Sequence, residues 1–315
     1  MKSLAHAVLI GAFSLCAWGT GRAEEAYPSR VVKFVVPQTP GGATDVFARK
    51  LAKLLSERWG QPVIVENRAG VAGVVGTDAV AKASPDGYTL LVTYAGSQAV
   101  NPSLYPSLPF DSVNDFQTVA TIASTPFLLI ANPKLPVHSL KAFLARAVEK
   151  PGAITFASSG NGSINHLLGE MLKQEAGIDI LHVPSRGVAA AISDVIAGHV
   201  DSAFSSVPSV LGMMKGGQVR ALAVSSAKRI KVAPDVPTIA ESGYPNFDVN
   251  PWWGILAPAR IDPAIVKKQV ESVGFVFDGE SDVLHNANDP HNIKVFDKSI
   301  RGHTDQFVYR FRKPG

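Results

Sequence analysis

The chain has 315 residues, of which 46% are hydrophobic and 18% are charged. This length fits two domains, and the apolar fraction excludes global intrinsic disorder. The 30 Lys and Arg residues against 26 Asp and Glu residues give a net charge of +4, with no basic block or stripe before the last few residues, which argues against nucleic-acid binding.

The first 23 residues have the pattern of an export signal. A lysine at position 2 precedes a nearly all small or apolar run over residues 5–17, and Gly21 and Ala23 are small residues suited to a cleavage site. The apolar run is too short for a transmembrane helix. We therefore predict a periplasmic protein cut after Ala23. A lipoprotein cut before Cys16, the only cysteine, remains an alternative, although the residue before it is large.

Strand and helix signals alternate after this leader. Residues 31–36 form an apolar, β-branched run that Pro37 ends. Apolar side chains at helical spacing predict a helix up to Trp59, with Thr44 and Asp45 as N-cap residue types near its start. The next predicted elements are a strand over 63–66, a helix over 73–83, and strands over 89–93 and 127–131.

The same alternation continues through the second half. Ser139 is predicted to cap a helix that runs to Glu149. Further predicted elements are strand 154–157, helix 165–176, strand 180–183, a helix to 196, and strands 200–204 and 219–224. Near-continuous apolar strands that alternate with helices are typical of parallel sheets covered on both faces. Two such clusters predict two α/β lobes.

Three of the strand-to-helix connections are rich in Gly, Ser and Thr: residues 38–45, 158–163 and 185–188. A helix start leaves backbone N–H groups unpaired and is the positive end of the helix dipole. Glycine lets an anion approach these groups, and hydroxyls add donors. Three such loops at one cleft would bind a carboxylate. Ordinary turns with satisfied caps are the alternative.

Four side chains each have two interpretations. Asp45 lies in the first helical turn or meets a ligand amine, and His166 contacts a ligand or braces the Gly-rich loop. Arg186 pairs with a carboxylate or lies on the surface. Trp253, which follows another tryptophan, faces the cleft or packs in the core.

Catalytic and cofactor motifs are missing from the sequence, which has no G-x-S-x-G, Walker A or H-E-x-x-H pattern. The glycine spacing from Gly70 through Gly73 to Gly76 is not the dinucleotide fingerprint, and we interpret it as tight packing at a helix start. The histidines at 285, 291 and 303 are spaced too irregularly for a usual metal site. We therefore expect no cofactor and no metal.

A series of short motifs follows in unbroken order between Tyr27 and Pro258. They are Pro37-x-x-x-Gly41-Gly42-x-x-Asp45 and residues 60–68, 84–90, 101–105, 158–162, 182–187, 222–229 and 234–243. This series resembles the Bug-type extracytoplasmic solute receptors of tripartite tricarboxylate transporters, the TctC-like family. So many motifs in order are more specific than any loop pattern alone.

The resemblance implies an α/β, two-lobed periplasmic-binding-protein fold of type II, the Venus flytrap, with a ligand cleft between the lobes. Lobe 1 would comprise residues 24–127 and lobe 2 residues 128–240, and residues 241–270 would return to lobe 1. Residues 271–315 do not resemble the family's C-terminal helices and form an atypical segment.

The resemblance also implies the ligand-binding positions. They are Thr39, Pro40, Gly41, Gly42, Ala43, Thr44, Asp45, Tyr94, Ala95, Gly96 and Ser97 in lobe 1, and Ser158, Ser159, Gly160, Asn161, Gly162, Ser163, His166, Ser185, Arg186, Gly187, Asp201 and Ser205 in lobe 2. Three departures leave the ligand open, because the family usually has an aromatic at Gln38, a tyrosine at Ser185, and Asp or Asn in place of Ser205 and Ser206.

The function implied is a monomeric periplasmic receptor without catalysis. It would capture a small carboxylate, which would be a di- or tricarboxylate, an amino acid or an aromatic acid, and deliver it to the membrane subunits of a tripartite tricarboxylate transporter. One alternative is a ligand-loaded sensor for a receptor kinase. The other is an exported hydrolase that uses Ser163 and His166, which lack an evident third partner.

Overall fold

The computed structural model describes residues 27–272, 276–281 and 308–312. The strands are β1 (Val32–Val36), β2 (Val63–Asn67), β3 (Thr89–Tyr94), β4 (Phe116–Ser124), β5 (Phe127–Ala131), β6 (Thr155–Ser158), β7 (Leu181–Pro184), β8 (Ser202–Ser206), β9 (Arg220–Val224), β10 (Trp252–Pro258), β11 (Val276–Ser281) and β12 (Val308–Arg312). The α-helices are α1 (Ala43–Trp59), α2 (Val74–Ala81), α3 (Asn101–Leu104), α4 (Leu140–Glu149), α5 (Ile164–Ala176), α6 (Val188–Ala197), α7 (Val207–Lys215) and α8 (Pro263–Ser272). A 3₁₀-helix (Val71–Gly73) precedes α2, and a π-helix (Gly96–Val100) precedes α3.

Two five-stranded sheets organise the chain into two α/β lobes. The sheet of lobe 1 has the order β2-β1-β3-β10-β4, and the sheet of lobe 2 has the order β7-β6-β8-β5-β9. The backbone passes from lobe 1 to lobe 2 between β4 and β5, and it returns between β9 and β10. The predicted α/β, two-lobed architecture is therefore confirmed.

Both sheets are mixed, so the expectation of parallel sheets was wrong. Strand β10 runs antiparallel to β3 and β4, and β5 runs antiparallel to β8 and β9. Strands β5 and β10 each begin just after the chain has crossed from one lobe to the other. Each runs in the direction opposite to that of its neighbours in the sheet. Because β5 is buried along its whole length, its sequence has the continuous apolar run that parallel strands also have.

The helix starts follow the sequence expectation with one exception. Ser139 caps α4, since its hydroxyl accepts from the Ala142 amide at 3.2 Å. Helix α1, however, has Gly42 as its N-cap without a side-chain hydrogen bond, and Thr44 and Asp45 lie inside its first turn. Its dipole-bearing amides are therefore not covered by a capping side chain.

A buried aromatic cluster lies where the chain crosses between lobes. Trp253 near the start of β10 and Phe127 at the start of β5 stack with ring centroids 6.3 Å apart, and both are at most 3% exposed. Phe47 of α1 packs edge-on against Trp253 at 5.5 Å. The crossing strands are thus fixed to the core at the edge from which both lobes face one another.

In the C-terminal part, β11 pairs antiparallel with β12. This pair falls within the segment predicted to be atypical, whose first two residues belong to the end of α8. Residues 273–275, 282–307 and 313–315 lie outside the described residues. The predicted leader with its cleavage after Ala23, Cys16, and the histidines at 285, 291 and 303 also lie outside them. None of the described helices is long and apolar enough to span a membrane.

Candidate functional site

A cavity of about 410 Å³ lies between the two lobes. In lobe 1 it is bounded by segments that follow β1 and β2 and by the end of β3, and in lobe 2 by segments that follow β6 and β7 and by the end of β8. Phe127 and Trp253 close it at the crossing strands. This is the edge at which open α/β sheets bind ligands, because the carboxyl ends of their parallel strands meet there.

Nine of the residues predicted from the sequence line this cavity. They are Thr39, Gly42, Ala43, Thr44, Tyr94, Ser159, Ser163, Arg186 and Gly187. All three of the predicted loops therefore contribute to one cleft. Arg186 is the only charged side chain among the described residues that line it, and it is exposed at this position.

The first loop of lobe 1 meets the start of α6 directly. A Cβ added at Gly187, where φ is +104°, would lie 2.2 Å from the Thr39 hydroxyl oxygen, and one at Gly42 would lie 3.0 Å from Val188 Cγ1. Only glycine permits this approach of the two loops. The starts of α1 and α6 therefore face the same space between the lobes.

Asp45 braces the first loop instead of lining the cavity. Its carboxylate accepts from the Gly41 amide at 3.1 Å and from Asn67 Nδ2 at 3.0 Å, and Arg49 pairs with it at 3.0 Å. Burial raises the pKa of Asp45, but hydrogen bonds from Arg49, the Gly41 amide and Asn67 outweigh it and hold the pKa below its usual value. The interpretation as a first-turn residue is the one the structure favours.

Two histidines brace the Gly-rich loop of lobe 2. His166 Nδ1 accepts from the Gly162 amide at 3.2 Å, and His182 Nε2 lies 2.7 Å from the Ser158 hydroxyl. The two rings pack with centroids 4.1 Å apart. Burial, and after it the neighbouring His166, lowers the pKa of His182 to about 4. His182 therefore supports the loop as a neutral ring.

Ser163 and His166 do not form a nucleophile–base pair. The Ser163 hydroxyl donates to the Gly160 carbonyl at 2.7 Å and accepts only the backbone amide of His166, at 3.4 Å. The ring nitrogen Nε2 of His166 faces Glu170 at 3.8 Å. This geometry serves the N-cap of α5 and gives the hydrolase interpretation no support.

The segment after β3 holds Tyr94 in place. A Cβ at Gly96 would lie 2.5 Å from the Tyr94 ring, so Gly96 permits the ring's position. Ser97 is buried, and its hydroxyl accepts from Gln38 Nε2 at 2.7 Å and donates to the Ala72 carbonyl at 3.1 Å. Burial raises the pKa of Tyr94 to about 12, although hydrogen bonds with the Ile164 amide and Ser97 oppose the rise.

Asp201 lies at the opposite end of the lobe 2 sheet from the cavity. It precedes β8 and accepts from the amide and hydroxyl of Thr155, both at 2.9 Å, at the start of β6. Ser205 is fully buried and its hydroxyl has no partner, whereas its neighbour Ser206 lines the cavity. The Ser185 hydroxyl turns away to Asp194 at 3.1 Å.

The remaining predicted positions support the loops without lining the cavity. Pro40, Gly41 and Asn161 are exposed, Ala95 is half-buried, and Ser158, Gly160 and Gly162 form the backbone and hydroxyl contacts of the Gly-rich loop. The described residues contain no cluster of three or more His, Cys, Asp or Glu side chains placed to hold a metal.

The sequence analysis missed one wall of the cavity, formed by residues 69–73. Gly76 does pack tightly, since its Cβ would lie 2.7 Å from the Pro37 Cα. Gly70 and Gly73 pack as tightly, since their Cβ positions would lie 2.7 Å from Val75 Cγ2 and 2.5 Å from Ser97 Oγ. They also belong to the cavity wall, with Val71 and Ala72 between them at φ +45° and +53°. Left-handed non-glycine residues leave no sequence signal. Asn165 is a further lining residue that the sequence analysis did not single out as a site residue.

Two mixed α/β lobes, joined by crossing strands and separated by a ligand-sized cleft, define the class of periplasmic binding proteins. The chain belongs to the tripartite tricarboxylate transporter receptor family, whose TctC model matches residues 47–277. This is a family of periplasmic solute receptors, and the predicted resemblance is confirmed.

Known relatives agree with this assignment. BugT of Bordetella pertussis is 42% identical over 243 residues, which cover 77% of this chain and 74% of BugT. A Rhodopseudomonas palustris protein solved with adipate superposes with a TM-score of 0.76 at 35% identity, covering 79% of this chain and 83% of that protein. MatC of the same organism, solved with bound malate, gives a TM-score of 0.73 at 32% identity, with 78% and 84% covered.

Proposed function

We propose that this protein captures a small carboxylate in the cleft and delivers it to the membrane subunits of a tripartite tricarboxylate transporter. The observation that carries the proposal is the charge of the cleft. Its one charged lining residue among those described is Arg186, and no carboxylate side chain lines it. A guanidinium is suited to bidentate pairing with a carboxylate.

Backbone amides support the same chemistry. The starts of α1 and α6 meet where Gly42 approaches Val188, and neither helix has a side-chain cap. Unpaired N–H groups at a helix start, together with the positive end of the dipole, favour an anion. The related proteins solved with adipate and with malate hold carboxylates, which agrees with the proposal.

A ligand screen tests the binding step. Thermal-shift measurements with mono-, di- and tricarboxylates, amino acids and aromatic acids should identify acids that raise the melting temperature, because a ligand that binds only the folded state stabilises it. Calorimetry then measures the affinity of each such acid. If no acid in the panel raises the melting temperature or gives heat of binding, the proposal fails.

Delivery and export are tested in cells. Uptake of the identified acid should require both this protein and the transporter's membrane subunits, and uptake that persists without this protein contradicts delivery. We also propose that the protein acts in the periplasm after cleavage following Ala23. The intact mass of the exported protein checks this, since a mass that still includes the leader contradicts the cut.

A further inference from the structure

Trp253 on β10 is both a core residue and part of the wall of the cleft. It is buried, and its ring packs against Phe47 at 5.5 Å, Tyr94 at 6.1 Å and Phe127 at 6.3 Å between ring centroids. It also lines the cavity. Its indole N–H is therefore a donor that packing holds in one position beside the cleft.

The acceptor of this N–H is a hydroxyl in the first turn of α1. Trp253 Nε1 donates to Thr44 Oγ1 at 3.1 Å, and Thr44 is itself buried and lines the cavity. Threonine hydroxyls in helices often donate to a carbonyl of the preceding turn, but within the described part of the chain the Thr44 hydroxyl has no partner besides Trp253. Because a hydroxyl can donate one proton as well as accept, the Thr44 proton is left for a group inside the cleft.

Backbone donors lie beside the same hydroxyl. The first backbone hydrogen bond of α1 joins the Val46 amide to the Gly42 carbonyl at 3.0 Å. The amides of Ala43, Thr44 and Asp45 precede it, and they have no acceptor among the described residues, as is usual at a helix start. A carboxylate at this start can therefore accept from the Thr44 hydroxyl and from backbone amides together.

We infer that Trp253 is a positioning residue for the bound acid: by donating to Thr44 Oγ1, it directs the Thr44 hydroxyl proton to the carboxylate. An indole N–H can donate but cannot accept, so the hydroxyl proton has no stable orientation towards the indole. The hydroxyl is thereby ordered before the acid arrives, which reduces the loss of freedom on binding. This inference rests on the proposed function and deepens it, because it assigns a side-chain donor and its support to the bound acid.

Variants at Thr44 test the contact with the acid. In calorimetry of the full chain with adipate and with malate, Thr44→Val should bind roughly tenfold more weakly than the wild type, because a hydrogen bond to a charged group is lost. Thr44→Ser keeps the hydroxyl and should restore most of the affinity. Thr77→Val is the matched control, since Thr77 is a buried residue of α2 outside the cavity whose hydroxyl has no partner among the described residues. Unchanged affinity in Thr44→Val overturns the inference.

A double-mutant cycle tests whether Trp253 acts through Thr44. Trp253→Phe keeps an aromatic ring and removes the N–H, so we expect affinity to fall several-fold. In the Thr44→Val background the same change should have little further effect on affinity, because the hydroxyl that the indole orients is already gone. Trp252→Phe, at the neighbouring half-buried tryptophan outside the cavity, should leave affinity unchanged. Equal losses from Trp253→Phe in both backgrounds overturn the positioning role.

The indole signal of Trp253 tests the same hydrogen bonds without a tryptophan variant. When the Thr44 hydroxyl donates to a carboxylate, its oxygen becomes a better acceptor for the indole N–H. In nitrogen–proton correlation NMR, the Trp253 indole proton should therefore move downfield when adipate saturates the wild type, but not when it saturates Thr44→Val. The indole signal of Trp59, which lies outside the cavity, is the internal reference. A Trp253 signal that does not respond to adipate, or that responds equally in Thr44→Val, overturns the inference.

Failure of the proposed function looks different. If no acid of the wider panel binds, the proposed function fails and the inference with it. If another acid of that panel binds while adipate and malate do not, that acid replaces them in each of these measurements. The inference alone is overturned when the wild type and Thr44→Val bind the same acid with equal affinity.

Discussion

The two lobes brace their ligand loops by opposite chemistry. In lobe 1 an ionised Asp45, held by Arg49 and Asn67, fixes the loop before α1. In lobe 2 two histidines fix the Gly-rich loop before α5, and burial with the nearby His166 lowers the pKa of His182 to about 4. The first brace needs a charge near neutral pH, whereas His182 supports the second as an uncharged ring.

The lobes also differ in what they present to the cleft. Lobe 1 contributes backbone, the ring of Tyr94 and the wall of residues 69–73, and its buried charge is turned away from the cavity. Lobe 2 contributes the cation, Arg186, next to Gly187 at the start of α6. This division indicates that lobe 1 shapes the site and lobe 2 supplies its charge. The following predictions, from the largest effect to the smallest, test that division.

We expect the largest loss of affinity from a change at Gly187, where the start of α6 contacts Thr39 in the first loop of lobe 1. In Gly187→Ala the new Cβ would meet the Thr39 hydroxyl 2.2 Å away, which keeps the loops apart. Overpacking costs about 1–3 kcal/mol, and we expect affinity for the bound acid to fall roughly a hundredfold, measured by calorimetry.

Gly243→Ala is the matched control for Gly187→Ala. Gly243 has a similar φ of +112° but nothing within 4 Å of its Cβ position. Both variants should lose some stability because alanine is strained at positive φ, but the control should keep its affinity. Equal loss of affinity in both would show that contact across the cleft is not the cause.

The charge of lobe 2 is tested by Arg186→Gln. Hydrogen bonds to charged groups are worth about 1.5–3 kcal/mol, so affinity should fall roughly thirtyfold, and added salt should weaken the wild type more than the variant. Because Arg186 is exposed, the melting temperature without ligand should barely change. Lys141→Gln, at an exposed lobe 2 lysine outside the cavity, is the control. Unchanged affinity in Arg186→Gln would show that the charge of Arg186 does not contribute to binding of the acid.

A variant at Asp201 tests how far the ligand site extends in lobe 2. Asp201→Ala leaves the amide and hydroxyl of Thr155 without their acceptor, so urea unfolding should show a loss of about 1–2 kcal/mol. Affinity should not change, because the pair lies at the far end of the sheet. The exposed Asp235→Ala is the control for stability. Weakened binding in Asp201→Ala would show that the ligand site extends to the end of the lobe 2 sheet where Asp201 lies.

The opposite braces predict different responses to acid. Because the pKa of His182 is lowered from 6.5 to about 4 in the folded state, its neutral form contributes stability that is fully present above pH 6.5. This contribution is lost as the pH falls towards 4, since the unfolded chain takes up the proton first. The pKa of Asp45 is also lowered, so that brace persists across the same interval.

Thermal melts of His182→Gln between pH 6.5 and pH 4 check this response. The variant should lose less melting temperature over the interval than the wild type does. His138→Gln, at an exposed histidine of the same lobe, should behave as the wild type. An equal decline in His182→Gln and wild type would mean that this ring does not carry the pH dependence.

Much of the fold could be predicted from hydrophobic runs, but strand direction could not. The predicted strand over 127–131 matches β5, yet its sequence is apolar throughout and is the same for either direction. Strand β4 was missed because half-buried and exposed residues are mixed along it without strict alternation. Asp201 was predicted as a site residue only from the family resemblance. It precedes β8, which runs parallel to β6, and therefore lies at the amino end of the strand, away from the cavity.

The parts of the candidate site that are rich in glycine and hydroxyl residues could be predicted from the sequence. Glycines and hydroxyls before α1, α5 and α6 identified the loops that line the cleft. The wall at residues 69–73 depends on Val71 and Ala72 in left-handed conformations that tertiary packing imposes. The sequence also could not show that the hydroxyl of Ser163 caps its own helix, because side-chain partners are decided by the folded geometry.

The most direct test of the account is a crystal structure with the tightest-binding acid of the panel. The account predicts electron density for the acid in the cleft, with its carboxylate hydrogen-bonded to Arg186 and to amides at the starts of α1 and α6. A well-defined acid bound outside the cleft would contradict it. So would an acid inside the cleft whose carboxylate contacts neither Arg186 nor the amides at the starts of α1 and α6.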